Sequence, residues 1–151
     1  MKALNPLFIL AILLSCNSQD KNKASFDSKQ STSQQSSLLN CYRYASESDT
    51  INLKLVHVGK SITGILVYRL KDKENINGTI QGSMREDVLV ANYSILTEGI
   101  KSIKQVAFRL EGNAFVEGHG DSFDQDGKQV FKNLDSLTYS SSVKLIEIPC
   151  Q

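Results

Sequence analysis

Residues 50–70 decide the fold and read TINLKLVHVGKSITGILVYRL. Ile51, Leu53 and Leu55 alternate with mostly polar side chains, and this period of two is typical of a half-buried β-strand. Gly59-Lys60 forms a turn, because glycine adopts backbone conformations that other residues avoid. Residues 62–70 then return as a second strand. The stretch therefore predicts an antiparallel hairpin.

The same pattern continues on both sides of this hairpin. Short apolar segments separated by turn residues predict strands at 42–44, 51–56, 62–70, 76–84, 88–96, 103–110, 114–119 and 143–148, and residues 128–131 could add a short strand. Residues 102–110 could form a helix, but their Val, Ile and Phe content favours a strand. The chain is therefore predicted to be all-β, and about eight short sequential strands favour a single antiparallel meander closed into a barrel. A β-sandwich is the alternative.

The N-terminus carries a second informative pattern, Leu13-Leu14-Ser15-Cys16. Lys2 supplies a positive charge, and the apolar run at 7–14 is far shorter than the roughly 20 residues that span a bilayer as a helix. The tetrapeptide resembles the lipobox of bacterial lipoprotein signals. It predicts a signal peptide at 1–15 and attachment of acyl chains, including palmitate, at Cys16. The alternatives are an ordinary secretory signal or an uncleaved N-terminal helix.

Composition divides the remaining chain in two. Residues 16–40 are mostly Ser, Gln, Asn and Lys, which cannot bury enough apolar surface to fold, and this predicts a disordered tether with a reach of roughly 25–30 Å. Residues 41–151 have the size and patterning of one folded domain. The chain has 17 Lys+Arg, 16 Asp+Glu and a net charge of +1. This balance does not suggest nucleic acid as a partner.

The three cysteines have two predicted roles, lipidation and disulfide formation. With Cys16 lipidated, Cys41 and Cys150 remain, one at each end of the domain. An exported protein occupies a compartment that permits disulfides, so we expect these two to pair. The chain-entropy treatment assigns about 4.7 kcal/mol to closure of a loop of roughly 100 residues. The alternative is two unpaired thiols, one of them at a metal or redox site.

A family resemblance joins these features. The lipobox, the Ser-rich tether, Cys41-Tyr42-Arg43-Tyr44, Gly64-Ile65-Leu66-Val67-Tyr68 and the C-terminal Cys150 resemble small lipoproteins of Bacteroidota-type bacteria. The resemblance implies a calycin-like or lipocalin-like barrel and carries no activity with it. The Gly-x-Trp signature of lipocalins is not present, because the chain has no Trp.

Candidate chemistry is sparse. Glu117 and His119 are predicted to share one face of a strand, where a carboxylate and an imidazole could bind a metal or transfer a proton. The alternative is a polar strand face that runs into a Gly-rich turn. His57 is expected at an exposed or rim position. No metal site, cofactor or catalytic residue is predicted.

Two further patterns are weak. Residues 121–127, DSFDQDG, have carboxylates at alternate positions like a calcium loop, but position 132 is Lys132 where an EF-hand needs Glu, which favours a polar turn. Asp49-Thr50-Ile51 and Asp135-Ser136-Leu137 match a triplet for O-glycosylation of exported proteins.

Two functional hypotheses follow. The first is a non-enzymatic lipoprotein that is exported and anchored in a membrane. We expect this to be the outer membrane, on its periplasmic or cell-surface side, and we expect the domain to bind an envelope protein or glycan. The second is a lipocalin-like carrier of a small apolar ligand, since an eight-stranded barrel can hold one. The size of the inward side chains discriminates between them. Five large residues favour the first hypothesis: Leu66, Tyr68, Tyr93, Phe108 and Phe115.

Overall fold

The computed structural model describes residues 38–139 and 142–151, and within these ranges the chain is all-β. Its strands are β1 (Leu38–Ala45), β2 (Thr50–Val58), β3 (Ser61–Arg69), β4 (Ile76–Arg85), β5 (Val88–Thr97), β6 (Ile100–Glu111), β7 (Ala114–Glu117), β8 (Ser122–Gln125), β9 (Lys128–Phe131) and β10 (Lys144–Ile148). In the part of the chain described, there is no helix long and apolar enough to cross a membrane. The predicted signal peptide 1–15, Cys16 and tether residues 17–37 lie outside the described residues.

Eight strands close into an antiparallel barrel. The order around the wall is β1-β2-β3-β4-β5-β6-β7-β10, and β10 returns to β1 through pairs that run from Cys41 with Ile148 to Arg43 with Ile146. Closure removes the open edges that a lone sheet would present. The predicted barrel is confirmed, and the alternative sandwich is not formed.

The barrel has two ends, which we call the base and the mouth. The base is where β1 begins at Leu38 and where the β2–β3, β4–β5 and β6–β7 turns lie. The mouth is the opposite end, where β1, β3, β5 and β7 finish. Since alternate strands run in opposite directions, the direction of β1 fixes which loops gather at each end.

Large side chains occupy the interior. The alternation predicted for β2 is present, with Ile51, Leu53 and Leu55 all buried. The core cluster is Tyr42, Ile51, Leu53, Leu55, Ile62, Leu66, Tyr68, Ile80, Leu89, Ala91, Tyr93, Val106, Phe108, Phe115 and Leu145. It contains all five large residues predicted to point inward, and none of these five is more than 7% exposed.

One glycine makes room for this packing. Gly78 lies on β4 next to Tyr93, and a Cβ atom there would meet the Ser94 backbone oxygen and lie 2.5 Å from ring atom Cε2 of Tyr93. Real carbon atoms do not approach this closely, so any larger side chain would push the ring away. The missing side chain thus lets Tyr93 lie across the strand.

A disulfide joins the two ends of the domain. Cys41 and Cys150 are bonded, with 5.3 Å between their Cα atoms, as predicted. The first strand begins earlier than expected, however. Composition placed the end of the tether at residue 40, but Leu38, Leu39 and Asn40 pair with His57, Val56 and Leu55 and so belong to β1. Backbone pairing with β2 orders these residues although Leu38 and Leu39 are exposed.

Between β7 and β10 the chain leaves the barrel wall and forms the β8–β9 hairpin. β7 pairs with only four residues of β6, so the mouth half of β6 is free to pair with β9, in parallel, at Ile103 and Lys104. The turn at Asp126-Gly127 has φ values of 54° and 77°, as a type I′ hairpin turn requires. The sequence predicted this turn and β9, but not β8.

Candidate functional site

The most chemically distinctive side chain inside the barrel is Glu117. It is the last residue of β7 and points to the same side as Phe115, which belongs to the core. The strand ends here, so the carboxylate lies half-buried at the mouth. One of its oxygens, Oε1, accepts a hydrogen bond of 2.9 Å from the Tyr68 hydroxyl.

Two tyrosines lie close to this carboxylate. The rings of Tyr68 and Tyr93 are 6.1 Å apart and tilted by 59°. The Tyr93 hydroxyl donates to the carbonyl oxygen of Leu66 at 3.0 Å. Burial and the nearby Glu117 charge raise the pKa of Tyr93 to about 12. Burial, the Glu117 charge and the hydrogen bond to it also raise the pKa of Tyr68. Both phenols therefore remain neutral donors at physiological pH.

A lysine completes the group. Lys104 is paired with Tyr93 across β5 and β6 and shares the inward face with Val106. Its Nζ atom lies over both aromatic rings, 5.6 Å from the Tyr68 centroid and 5.5 Å from the Tyr93 centroid. The attraction between a cation and an aromatic ring in contacts of this kind contributes about 0.5–1 kcal/mol at exposed sites. The rings thus hold the charge at the mouth.

Lys104 and Glu117 open into one cleft, which we call the mouth cleft. It has a volume of about 320 Å³ and lies between β6, the segment after β7 and the β8–β9 hairpin. Its other lining side chains include His119, Ser122, Gln129 and Phe131. Among the described residues, neither Lys104 nor Glu117 forms an ion pair.

The structure changes the relation between Glu117 and His119. The expectation that both lie on one strand is wrong, because β7 ends at Glu117. His119 instead forms an isolated bridge with Thr138, in which each backbone N–H donates to the other carbonyl at 2.9 Å. The His119 residue is exposed. Both residues line the mouth cleft, but no hydrogen bond or ion pair joins them within the described ranges.

A second polar cluster lies outside the barrel wall near the base. The Arg109 guanidinium stacks 3.8 Å above the Tyr139 ring, and its Nε atom is 3.8 Å from an Asp87 oxygen. Burial raises the pKa of Tyr139, Arg109 lowers it and Asp87 raises it, with a net upward shift. A cleft of about 380 Å³ adjoins these residues. Through the contact of Tyr139 with Arg109, the cluster packs the segment after β9 against the barrel. No local sequence pattern predicts this cluster.

Among the weaker sequence patterns, the 121–127 segment has a structural role, whereas the O-glycosylation triplets stay predictions. Asp124 accepts the Gly127 N–H at 3.1 Å and thereby closes the hairpin turn, which confirms the polar-turn interpretation. The described residues contain no group of three or more His, Cys, Asp or Glu side chains placed to hold a metal ion. Ser136 is exposed, whereas Thr50 is half-buried in β2. His57 is half-exposed near the base rim, as predicted.

Together these features define a class of protein: a small, closed, eight-stranded antiparallel barrel with a filled interior and a charged cleft at its mouth. Comparison with protein families, with curated proteins and with solved structures finds no match to this chain.

Proposed function

We propose that this protein is a non-enzymatic bacterial envelope lipoprotein whose barrel is a binding module for another envelope component. In this proposal Cys16 carries the lipid anchor, and the Ser- and Gln-rich segment spaces the domain from the outer membrane. The family resemblance to small lipoproteins of Bacteroidota-type bacteria belongs to the same proposal. The partner is an envelope protein, a glycan or a small molecule.

The observation that carries the proposal is the filled interior. Phe108 and Leu66 are fully buried in the middle of the barrel, and the rings of Phe108 and Phe115 pack edge to face at 6.3 Å. Close packing of this kind leaves no room for an apolar ligand unless side chains move. Binding is therefore expected at the outer surface and the mouth. The carrier hypothesis is correspondingly less well supported.

A further observation supports export of the domain. The Cys41–Cys150 bond suits an exported protein, because disulfides persist in oxidising compartments.

Anchoring is tested by substitution of Cys16. Cys16→Ala should abolish labelling by a fatty-acid analogue and release the protein from the membrane fraction. Cys41→Ala is the matched control, because it removes a cysteine from the domain and should leave labelling intact. A Cys16→Ala protein that remains labelled and membrane-bound would contradict the proposal.

The choice between binding module and carrier is tested by native mass spectrometry of the gently purified full chain. The mass of the lipidated protein alone is expected, because the interior is occupied by side chains. A stoichiometric apolar molecule released on denaturation would instead establish the carrier function.

A further inference from the structure

We infer that the mouth cleft binds a small zwitterion, a molecule that carries an ammonium group and an acidic group a few bonds apart, as a free amino acid does. The inference rests on the proposed function, since it names the ligand class of the binding module. Glu117 would accept the ligand's ammonium, and Lys104 would bind its anionic group.

The first argument is that two opposite charges face one cleft without neutralising each other. Lys104 comes from β6 and Glu117 from the end of β7, and within the described ranges neither has an ionic partner. Half-buried charges are stabilised by partners of opposite sign. A ligand with both charges supplies both partners at once.

The second argument is selectivity. An anion that approaches Lys104 also approaches the Glu117 carboxylate, and a cation attracted to Glu117 also meets the Lys104 ammonium. Each singly charged ion therefore gains one attraction and suffers one repulsion. Only a zwitterion in one orientation avoids the repulsion, and this combination of attraction and repulsion produces specificity.

The third argument is that the two charged groups are held in place before a ligand arrives. Tyr68 donates to Glu117 Oε1 at 2.9 Å, which leaves the second oxygen free to accept from a ligand. Lys104 is held over the Tyr68 and Tyr93 rings. Preorganised groups bind more tightly because less freedom is lost on association.

The size of the cleft and its remaining lining residues also fit a small zwitterion. A volume of about 320 Å³ is at the lower end of the range for small-molecule pockets. Ser122 and Gln129 also line the cleft; the Ser122 hydroxyl donates to Gln129 Oε1 at 3.5 Å, and the Gln129 amide keeps its donors. The cleft thus matches a compact polar ligand.

The test is a titration of the purified, isotope-labelled full chain in detergent, followed through its amide NMR signals. The zwitterionic probes are glycine, β-alanine and 4-aminobutyrate, which place the two charges at increasing separations. Acetate and methylammonium at equal ionic strength are the singly charged controls. We expect saturable shifts at residues 104–106 and 117–120 with at least one zwitterion, and affinity weaker by about tenfold or more for either single ion.

Variants assign the charges. Lys104→Met and Glu117→Gln should each weaken binding of the best zwitterion by about tenfold or more. Lys101→Met is the matched control, because Lys101 is an exposed lysine on the same strand. This variant should bind the zwitterion as tightly as the parent protein does. Glu117→Gln keeps an oxygen that can accept from Tyr68, so the fold is expected to survive.

Defined outcomes overturn the inference. These are the absence of saturable shifts with all three zwitterions, equal binding of acetate or methylammonium, or an equal loss in Lys101→Met. The comparison of probes on the parent chain decides the question even if a variant fails to fold. O-phosphoethanolamine, as an additional probe, shows whether the natural zwitterion is a free amino acid or a lipid headgroup. If it binds more tightly than every amino acid tested, the cleft is assigned to a lipid headgroup. Failure here would leave the fractionation result at Cys16 unaffected, so the two proposals are tested separately.

Discussion

Removal of the Cys41–Cys150 bond should be the most destabilising change outside the core. The two cysteines are 109 positions apart, and the chain-entropy relation gives about 4.8 kcal/mol for a loop of this length at 25 °C. Removal of native disulfides from small exported domains typically costs about 2–5 kcal/mol. We therefore expect the Cys41→Ala/Cys150→Ala double variant to lose about 3–5 kcal/mol of unfolding free energy.

Urea unfolding of the full chain, followed by circular dichroism, measures this loss. With a slope of about 1.5 kcal/mol/M, the midpoint should fall by roughly 2–3 M. The slope itself should rise, because the unfolded chain without the bond exposes more surface. The parent protein reduced by a thiol should unfold like the double variant. A loss below about 0.5 kcal/mol, the usual effect of a surface substitution, would refute the reasoning.

Three further predictions concern the interior and use the same unfolding assay. Phe108→Ala should lose about 3–5 kcal/mol of unfolding free energy, whereas Phe123→Ala, at an exposed position, should lose less than about 0.5 kcal/mol. Equal losses would contradict the assignment of Phe108 to the core. Gly78→Ala should lose about 1–3 kcal/mol of unfolding free energy, because the added carbon would meet the Ser94 backbone oxygen and the Tyr93 ring, and a neutral result would count against this close packing. The pKa of Tyr93 is about 12 in the folded protein against 10.0 ordinarily, so the unfolded chain loses this proton first and stability present below pH 10 should decrease as pH rises towards 12. Tyr93→Phe should reduce this alkaline decrease without removing it, because the raised pKa of Tyr68 also contributes, and an unchanged pH profile would show that Tyr93 makes no contribution.

Much of the barrel could be predicted from the sequence because its signals are local. Alternation along β2 identifies which side chains point inward, and the turn at Gly59-Lys60 identifies an antiparallel neighbour. The disulfide followed from the number of cysteines and their positions. The large inward residues, such as Phe108 and Phe115, followed from the same alternation.

The mouth cleft could be predicted only in part. The alternation of apolar and polar residues shows which side chains point into the barrel, but it does not show how deep each one lies. The sequence singled out Glu117, but its hydrogen-bond partner Tyr68 is 49 positions away. Lys104 looks like any lysine in an alternating strand until the register with Tyr93 is known. β8 was not predicted, because all four of its residues are exposed and show no alternation of apolar and polar side chains.

The place of the disulfide also determines how the barrel would respond to a mechanical load. A pull on the chain ahead of Leu38 can peel away only Leu38, Leu39 and Asn40 before it reaches the covalent bond at Cys41. Beyond that point the force is shared with Cys150, next to β10, so the first and last strands of the closed wall are loaded together. A barrel held in this way would resist strand-by-strand unzipping from its N-terminus.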